Sequence, residues 1–144
     1  MELINESLIM FDLKAETPED VVNQIAENME KDNRLLDKTG YAADVLKREK
    51  SSPTSIGFLI ATPHAKSSNV KEVSLAFARL EKPIEWADEE VQLVFQIAVP
   101  DPGQGERHLE ILAKLSRKIM DDEFREALMH VNEKKEILNM VDGL

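Results

Sequence analysis

Apolar and polar residues along the chain alternate with two periods, and the period changes at recognisable turn signals. Ser7 to Leu13 (SLIMFDL) holds four apolar residues in a row and predicts a strand. Thr17-Pro18-Glu19-Asp20 is a helix start, because Thr17 can cap, Pro18 suits the first turn, and the acids face the positive helix end. Val22, Ile25, Ala26 and Met29 follow at helical spacing, and polar and basic residues end the helix near Arg34. A second helix is predicted over about Gly40 to Arg48, where Tyr41 and Val45, and Ala42 and Leu46, stack one turn apart. Glu49 to Ile56 is rich in Ser and Pro and reads as a loop.

The next apolar runs are shorter and strand-like. Gly57 to Ala61 is predicted to be a strand that stops at Thr62-Pro63, since Pro cannot donate to a ladder. Ala65 to Glu72 is polar and reads as a turn. Val73 to Leu80 places Val73, Leu75 and Phe77 on one face, with Ser74, Ala76 and Ala78 on the other, and Lys82-Pro83 is read as its end. In Val91 to Val99 the residues Val91, Leu93, Phe95, Ile97 and Val99 share a face. Pro100 to Gly105 is a loop, and a long helix starts near Glu106. Leu109, Leu112, Ala113, Ser116, Ile119 and Met120 are read as its buried stripe. Asp121 or Asp122 caps a further helix around Phe124, Ala127, Leu128 and Val131, and Asn132 is read as the cap of a last one around Ile137, Leu138 and Val141. The order β-α-α-β-β-β-α-α-α implies an α/β fold with a mixed sheet covered by helices, in a single domain over residues 1–144.

Composition narrows the function classes. At 144 residues the chain suits one core, with 42% apolar and 32% charged residues. There are no cysteines, which excludes a thiol nucleophile, a zinc ribbon and a disulfide framework. The formal charge of −10 argues against nucleic-acid binding. No apolar run reaches the roughly 20 residues of a membrane span. The first ten residues, MELINESLIM, lack the basic start of a secretory signal, so a cytoplasmic protein with no membrane insertion is expected.

Three histidines can be weighed singly. His130, with Glu126 and Lys134 at helical spacing, reads as a solvated surface residue. His64 follows a strand and a stiff Thr-Pro stop, so its imidazole sits on a restricted backbone. It is open to use as a nucleophile, a base or a metal ligand, or as a loop residue with no task. His108 lies in the first turn of a helix, where unpaired N–H groups favour anions and a neutral imidazole. It could hydrogen-bond a phosphoryl oxygen or a second imidazole, or simply edge the apolar stripe. Arg48 could clamp a phosphate, pair with Asp44 one turn back, or complement the helix C-terminus. Ser67 and Ser68 could donate hydroxyls, although polar turns contain serine anyway. PGQGERH lacks the Gly-Lys-Ser/Thr of a P-loop, no G-x-S-x-G elbow occurs, and no metal-site spacing is present, so neither a metal nor a cofactor is expected. Trp86, beside Glu85, reads as packing.

The segments LKREKSSPTSIG (46–57), GFLIATPHAK (57–66), SSNVKEVSLAFARLEKPIEW (67–86), VQLVFQIAVP (91–100) and HLEILAKLSRKIMDDEFREAL (108–128) together resemble the fructose/mannitol-type enzyme IIA domain. That domain belongs to the bacterial phosphoenolpyruvate-dependent sugar phosphotransferase system. The ordered set Arg48, Gly57, Pro63-His64, Pro83, Trp86 and His108-Leu109 carries the resemblance over almost the whole chain. It implies a mixed sheet of about five strands with helices on both sides, one more strand than the pattern above supplies. It implies that His64 accepts a phosphoryl group on Nε2 from the phosphocarrier HPr and passes it to a cysteine of a IIB domain. A membrane IIC carrier would lie on another chain. His108 would be the second active-site histidine, and Arg48 would steady the phosphoryl oxygens. Fructose, mannitol or galactitol uptake is implied, and a nitrogen-type regulatory relative is the alternative. Thr62 and Ala65 depart from the family's common apolar-Pro-His-Gly pattern, so a slightly different turn after His64 is expected.

Overall fold

The computed structural model describes residues 1–144. After a short 3-10 turn at Glu6–Leu8 come β1 (Ile9–Leu13), α1 (Pro18–Lys31), α2 (Lys38–Ser51), β2 (Ile60–Ala61), β3 (His64–Ser67), β4 (Ser74–Trp86), β5 (Glu89–Pro100), α3 (Arg107–Ile119), α4 (Asp122–His130) and α5 (Lys134–Met140). Five strands form one mixed sheet in the order β1-β4-β5, with β2 and β3 both on the far edge of β5. Only β4 and β5 are antiparallel; every other pair is parallel. The mixed α/β fold expected from the sequence is therefore present, and β3 is the strand missing from the periodicity.

The sheet carries helices on both faces because β4 and β5 are apolar on both sides. On one face, Val22, Ile25, Met29, Tyr41 and Val45 of α1 and α2 pack with Ala76, Ala78, Val94 and Ala98. On the other, Ile111, Leu115, Ile119, Leu128 and Ile137 of α3 to α5 pack with Leu75, Phe77, Leu93, Phe95 and Ile97. The small residues sit under α1 and α2, so these helices lie close to the sheet.

Several boundaries differ from the sequence reading. Gly57, Phe58 and Leu59 have φ of 85°, 58° and 65°, so this apolar segment is a left-handed turn and only Ile60–Ala61 is strand. Pro83 does not end β4, which continues to Trp86. Beyond Leu80 the β1 partner has ended, so β4 is there an edge, and Pro83 lies where the β4–β5 register shifts between Arg79 and Ile84. Edges and bulges tolerate a missing N–H. The same shift moves Val91 off the Leu93–Val99 face into the α1/α2 core. Leu109 and Met120 are 52% and 70% exposed, and Ala113 and Ser116 are exposed too. Of the expected stripe, Ile119 is buried and Leu112 packs partly buried against the core, and Ile111 and Leu115 complete the buried face. Asp121 caps α4, but α5 starts from Glu133, because the Asn132 amide oxygen accepts from Arg79 Nη2 at 3.1 Å.

Candidate active site

His64 opens β3 directly after Pro63. Ile60, Ala61 and His64 pair in one continuous register with Leu93, Val94 and Ile97 of β5, so β2 and β3 are one edge strand with a gap at Thr62-Pro63. The gap is where proline does least harm. Its carbonyl still accepts from Ile97 N–H at 3.0 Å, and Thr62 N–H turns outward to the Thr54 carbonyl at 3.1 Å. In place of the slightly different turn expected after His64 there is ordinary strand: Ala65 pairs with Ala98 and has no left-handed φ, so glycine is not needed there.

The His64 side chain is buried, with 7% of its surface exposed. Its Nδ1 lies 2.7 Å from the Thr62 carbonyl oxygen. A carbonyl can only accept, so the neutral ring carries its proton on Nδ1 and leaves the Nε2 lone pair free. Burial pushes the His64 pKa below its usual 6.5; the Thr62 hydrogen bond opposes this, Arg48 and His108 add to it, and Glu49 opposes it. The net result is a neutral imidazole at pH 7.

His108 comes from the first turn of α3, and its ring stacks on that of His64 with centroids 6.0 Å apart and planes inclined by 29°. His108 Nδ1 is buried without a hydrogen-bond partner, and Nε2 lies 3.7 Å from a Glu106 carboxylate oxygen. A buried polar atom with an unused hydrogen bond is costly, and a ligand oxygen in the cleft would satisfy it. Arg48 lies in the last turn of α2 and donates from Nη1 to the Ser52 carbonyl at 2.7 Å. The Asp44 pairing considered for it is not made. Asp44 instead accepts from Ser67 Oγ at 2.6 Å and from Asn69 Nδ2 at 3.4 Å.

Arg48, His64, Lys66, Ser67, Ser68 and His108 line one cleft of about 520 Å³, so residues far apart in sequence converge at the ends of α2, β3 and the start of α3. His130 is remote from it, exposed, and paired with Glu126 at 3.0 Å. Lys47 and Lys66 also reach the cleft and were missed. Lys66 stands two residues after His64 on β3, and recognising that strand would have placed it on the same side. Trp86 is buried and donates from Nε1 to Glu49 at 3.0 Å, so it has a polar task besides packing. A larger cavity, about 840 Å³, lies beside β1 and shares none of these residues. No group of three or more His, Asp or Glu side chains is placed to hold a metal ion. No helix is long and apolar enough to cross a membrane.

Such a cleft offers a free imidazole nitrogen, a second ring, and cations within one concave surface. That is the equipment for holding a phosphoryl group on nitrogen.

Residues 2–143 match the protein family described as "Phosphoenolpyruvate-dependent sugar phosphotransferase system, EIIA 2". The chain is similar to the PTS system fructose-specific EIIABC component of Bacillus subtilis, 31% identical over 144 residues, covering 98% of this chain and 22% of that protein. It spans between 15% and 22% of the length of that protein and of two Escherichia coli relatives. Among solved structures, the nitrogen regulatory protein IIA-Ntr of Neisseria meningitidis superposes with a TM-score of 0.86 at 28% identity, covering 96% of each chain. The complex of enzyme IIA-mannitol and phosphorylated enzyme IIB-mannitol from Escherichia coli superposes with 0.83 at 23% identity, covering 98% of each chain, a likeness of fold.

Proposed function

The chain belongs to the EIIA type-2 family of the sugar phosphotransferase system, whose members are phosphotransferase components, and from that premise we propose that His64 is its phosphoryl carrier. The observation that carries this reading is the Thr62 carbonyl on Nδ1, which leaves Nε2 of a neutral, buried ring as the nucleophile.

The donor is phospho-HPr, and the acceptor is a cysteine of a IIB domain. In the first step the Nε2 lone pair attacks phosphorus. The N–P bond of the donor phosphohistidine breaks, and its electron pair returns to the donor ring. His64 keeps its Nδ1–H on the Thr62 carbonyl throughout, so no proton need leave. In the second step a cysteine thiolate attacks phosphorus, the Nε2–P bond breaks, and His64 is again a neutral imidazole. Phosphoryl transfer of this kind depends on positioning and charge neutralisation. Arg48 and Lys66 supply positive charge to the phosphoryl oxygens, and the unpartnered Nδ1 edge of His108 is available to them. An open cleft, rather than a closed pocket, lets two partners reach the same atom in turn. The IIB cysteine and the membrane carrier lie outside this sequence, and the domain works on the cytoplasmic side.

The name of the Bacillus relative favours fructose or a related sugar or polyol such as mannitol or galactitol as the transported substrate. The likeness to IIA-Ntr favours a second reading, in which the phosphorylation state of His64 governs binding to a target protein. Phosphoenolpyruvate, enzyme I and HPr, followed by intact mass and phosphorus NMR, test the shared step. One acid-labile phosphate on the wild type and none on His64→Ala supports it; unchanged labelling of His64→Ala overturns it. Phosphoryl passage on to a IIB domain separates transport from regulation.

A further inference from the structure

Behind His64 runs a chain of hydrogen bonds that the transfer itself does not use. It starts at Glu49, next to Arg48 in the last turn of α2. The Glu49 carboxylate accepts from Thr54 N–H at 2.6 Å, from Thr54 Oγ–H at 2.6 Å, and from Trp86 Nε1–H at 3.0 Å. Three donors on one carboxylate make strong, charge-assisted bonds, and they fix Thr54 against α2 and against β4. The Thr54 carbonyl, so held, accepts from Thr62 N–H at 3.1 Å. The Thr62 carbonyl then accepts from His64 Nδ1–H at 2.7 Å. Thr54 and Thr62 are both buried, at 6% exposure each, so water cannot readily replace these partners.

The stretch is tied to β5 on either side of Thr62: the Leu59 carbonyl accepts from Gln92 and Leu93 N–H at 2.9 Å, and the Pro63 carbonyl from Ile97 N–H at 3.0 Å. Gly57, Phe58 and Leu59 all have left-handed φ, which costs energy at the two non-glycine positions. Thr62 and Pro63 lie in the gap of the edge strand, where Thr62 makes no ladder pair with β5. The Thr62 carbonyl is therefore positioned jointly by Thr54, whose carbonyl accepts from Thr62 N–H at 3.1 Å and from Thr62 Oγ–H at 3.5 Å, and by the Pro63 pairing that follows it. That carbonyl decides which nitrogen of His64 bears the proton.

We propose that Glu49 is a positioning residue for phosphoryl transfer: through Thr54 and Thr62 it holds the carbonyl that keeps the His64 proton on Nδ1 and the Nε2 lone pair facing the cleft. The proposal rests on His64 being the phosphoryl acceptor. Trp86 serves the same end by donating to Glu49 Oε2, the oxygen that also accepts from Thr54 N–H. The network also fixes the turn whose Ser52 carbonyl holds Arg48.

Two measurements on the folded full chain test it. Ring-nitrogen NMR of the free protein reads the His64 tautomer without any phosphoryl donor, and quench kinetics with phospho-HPr read the rate. In the wild type the His64 Nε2 should resonate as a lone-pair nitrogen and Nδ1 as a protonated one. Glu49→Gln presents an amide N–H to one of the three donors. It should move both ring resonances toward the averaged position of mixed tautomers and slow phosphorylation about ten-fold, the effect of one lost network bond. Thr54→Val keeps the backbone donor and should shift the resonances in the same direction by less. It serves as the test should Glu49→Gln fail to fold. Glu49→Gln or Thr54→Val with unaltered His64 resonances overturns the positioning role, whatever happens to the rate. If His64 of the wild type accepts no phosphate while Glu49→Gln still shifts the ring, the tautomer control stands and the transfer reading fails.

Discussion

At the residue scale the decisive quantity is the protonation of His64. Its neutral form is favoured in the folded protein, chiefly by burial, so the folded state binds a proton less readily than the unfolded chain. The stability this preserves is fully present above the unfolded pKa of about 6.5 and is lost as pH falls through that value and through the lower folded one. Urea midpoints of wild type and His64→Gln should therefore differ by a constant above about pH 6.5, and wild type should lose more below it. Parallel curves down to pH 5 would contradict a depressed His64 pKa. A second prediction concerns Arg48. Lys at this position keeps the charge and loses the planar fork that spans the Ser52 carbonyl and the cleft. Arg48→Lys should slow transfer by about ten-fold or more while leaving the melting temperature within a few degrees, as expected when one charged hydrogen bond is lost from an exposed site. His108→Ala should still accept phosphate slowly and pass it on poorly; transfer at wild-type rate would remove His108 from the reaction. His64 and His108 stood out in the sequence because each sits at a turn-defined position. Lys66 did not, because the polar run from Ala65 hides a strand whose polar side faces the cleft and whose pairing partner is the distant β5.

At the scale of elements, periodicity located most helices and strands and misjudged their faces where a neighbour intervened. The α3 helix is the clearest case. Its sequence allows two overlapping stripes, the expected one through Leu109, Leu112, Ala113, Ser116, Ile119 and Met120, and one through Ile111, Leu112, Leu115 and Ile119 that shares Leu112 and Ile119 with it. Only the second meets the sheet. Nothing within one helix can choose between them, because the choice depends on what Leu75, Phe95 and Ile97 present opposite. Leu115→Ala should cost about 2–5 kcal/mol, and Leu109→Ala less than about 0.5 kcal/mol, by chemical denaturation. Equal costs would mean that the helix is rotated from this orientation. The Gly57–Leu59 turn failed for a similar reason: apolar content read as strand, while left-handed backbone at Phe58 and Leu59 is imposed by pairing on either side. The Leu59 carbonyl accepts from both Gln92 and Leu93 N–H at 2.9 Å.

At the scale of the whole molecule, two cores share one sheet, so damage on one face is felt on the other. Phe77 and Phe95 lie under α3 to α5 with ring centroids 5.0 Å apart, while Ala76, Ala78, Val94 and Ala98 on the opposite side of the same strands meet α1 and α2. Phe95→Ala should therefore cost about 3–5 kcal/mol and lower the stability of both layers in one transition. Fluorescence of Trp86, in the α1/α2 core, and far-ultraviolet circular dichroism should report the same midpoint. Separate midpoints would show that the layers unfold independently.

By itself the sequence determined the α/β class, a helical cap at Thr17 and one at Asp121 or Asp122, the alternation of β4 and β5, and the singling out of His64 after a proline and His108 in a first helical turn. These are local matters: a period, a cap or a proline acts on its own few residues. It also carried the family resemblance, which supplied the fifth strand and the roles that local chemistry had left open. Only the tertiary structure decided which α3 stripe is buried, that Pro63 interrupts an edge strand rather than ending one, and that Glu49 lies behind His64. The first two depend on partners more than ten residues away, and the third on three short links, Glu49 to Thr54, Thr54 to Thr62 and Thr62 to His64, that converge across a turn; such hydrogen bonds and packing leave no periodic trace in the chain.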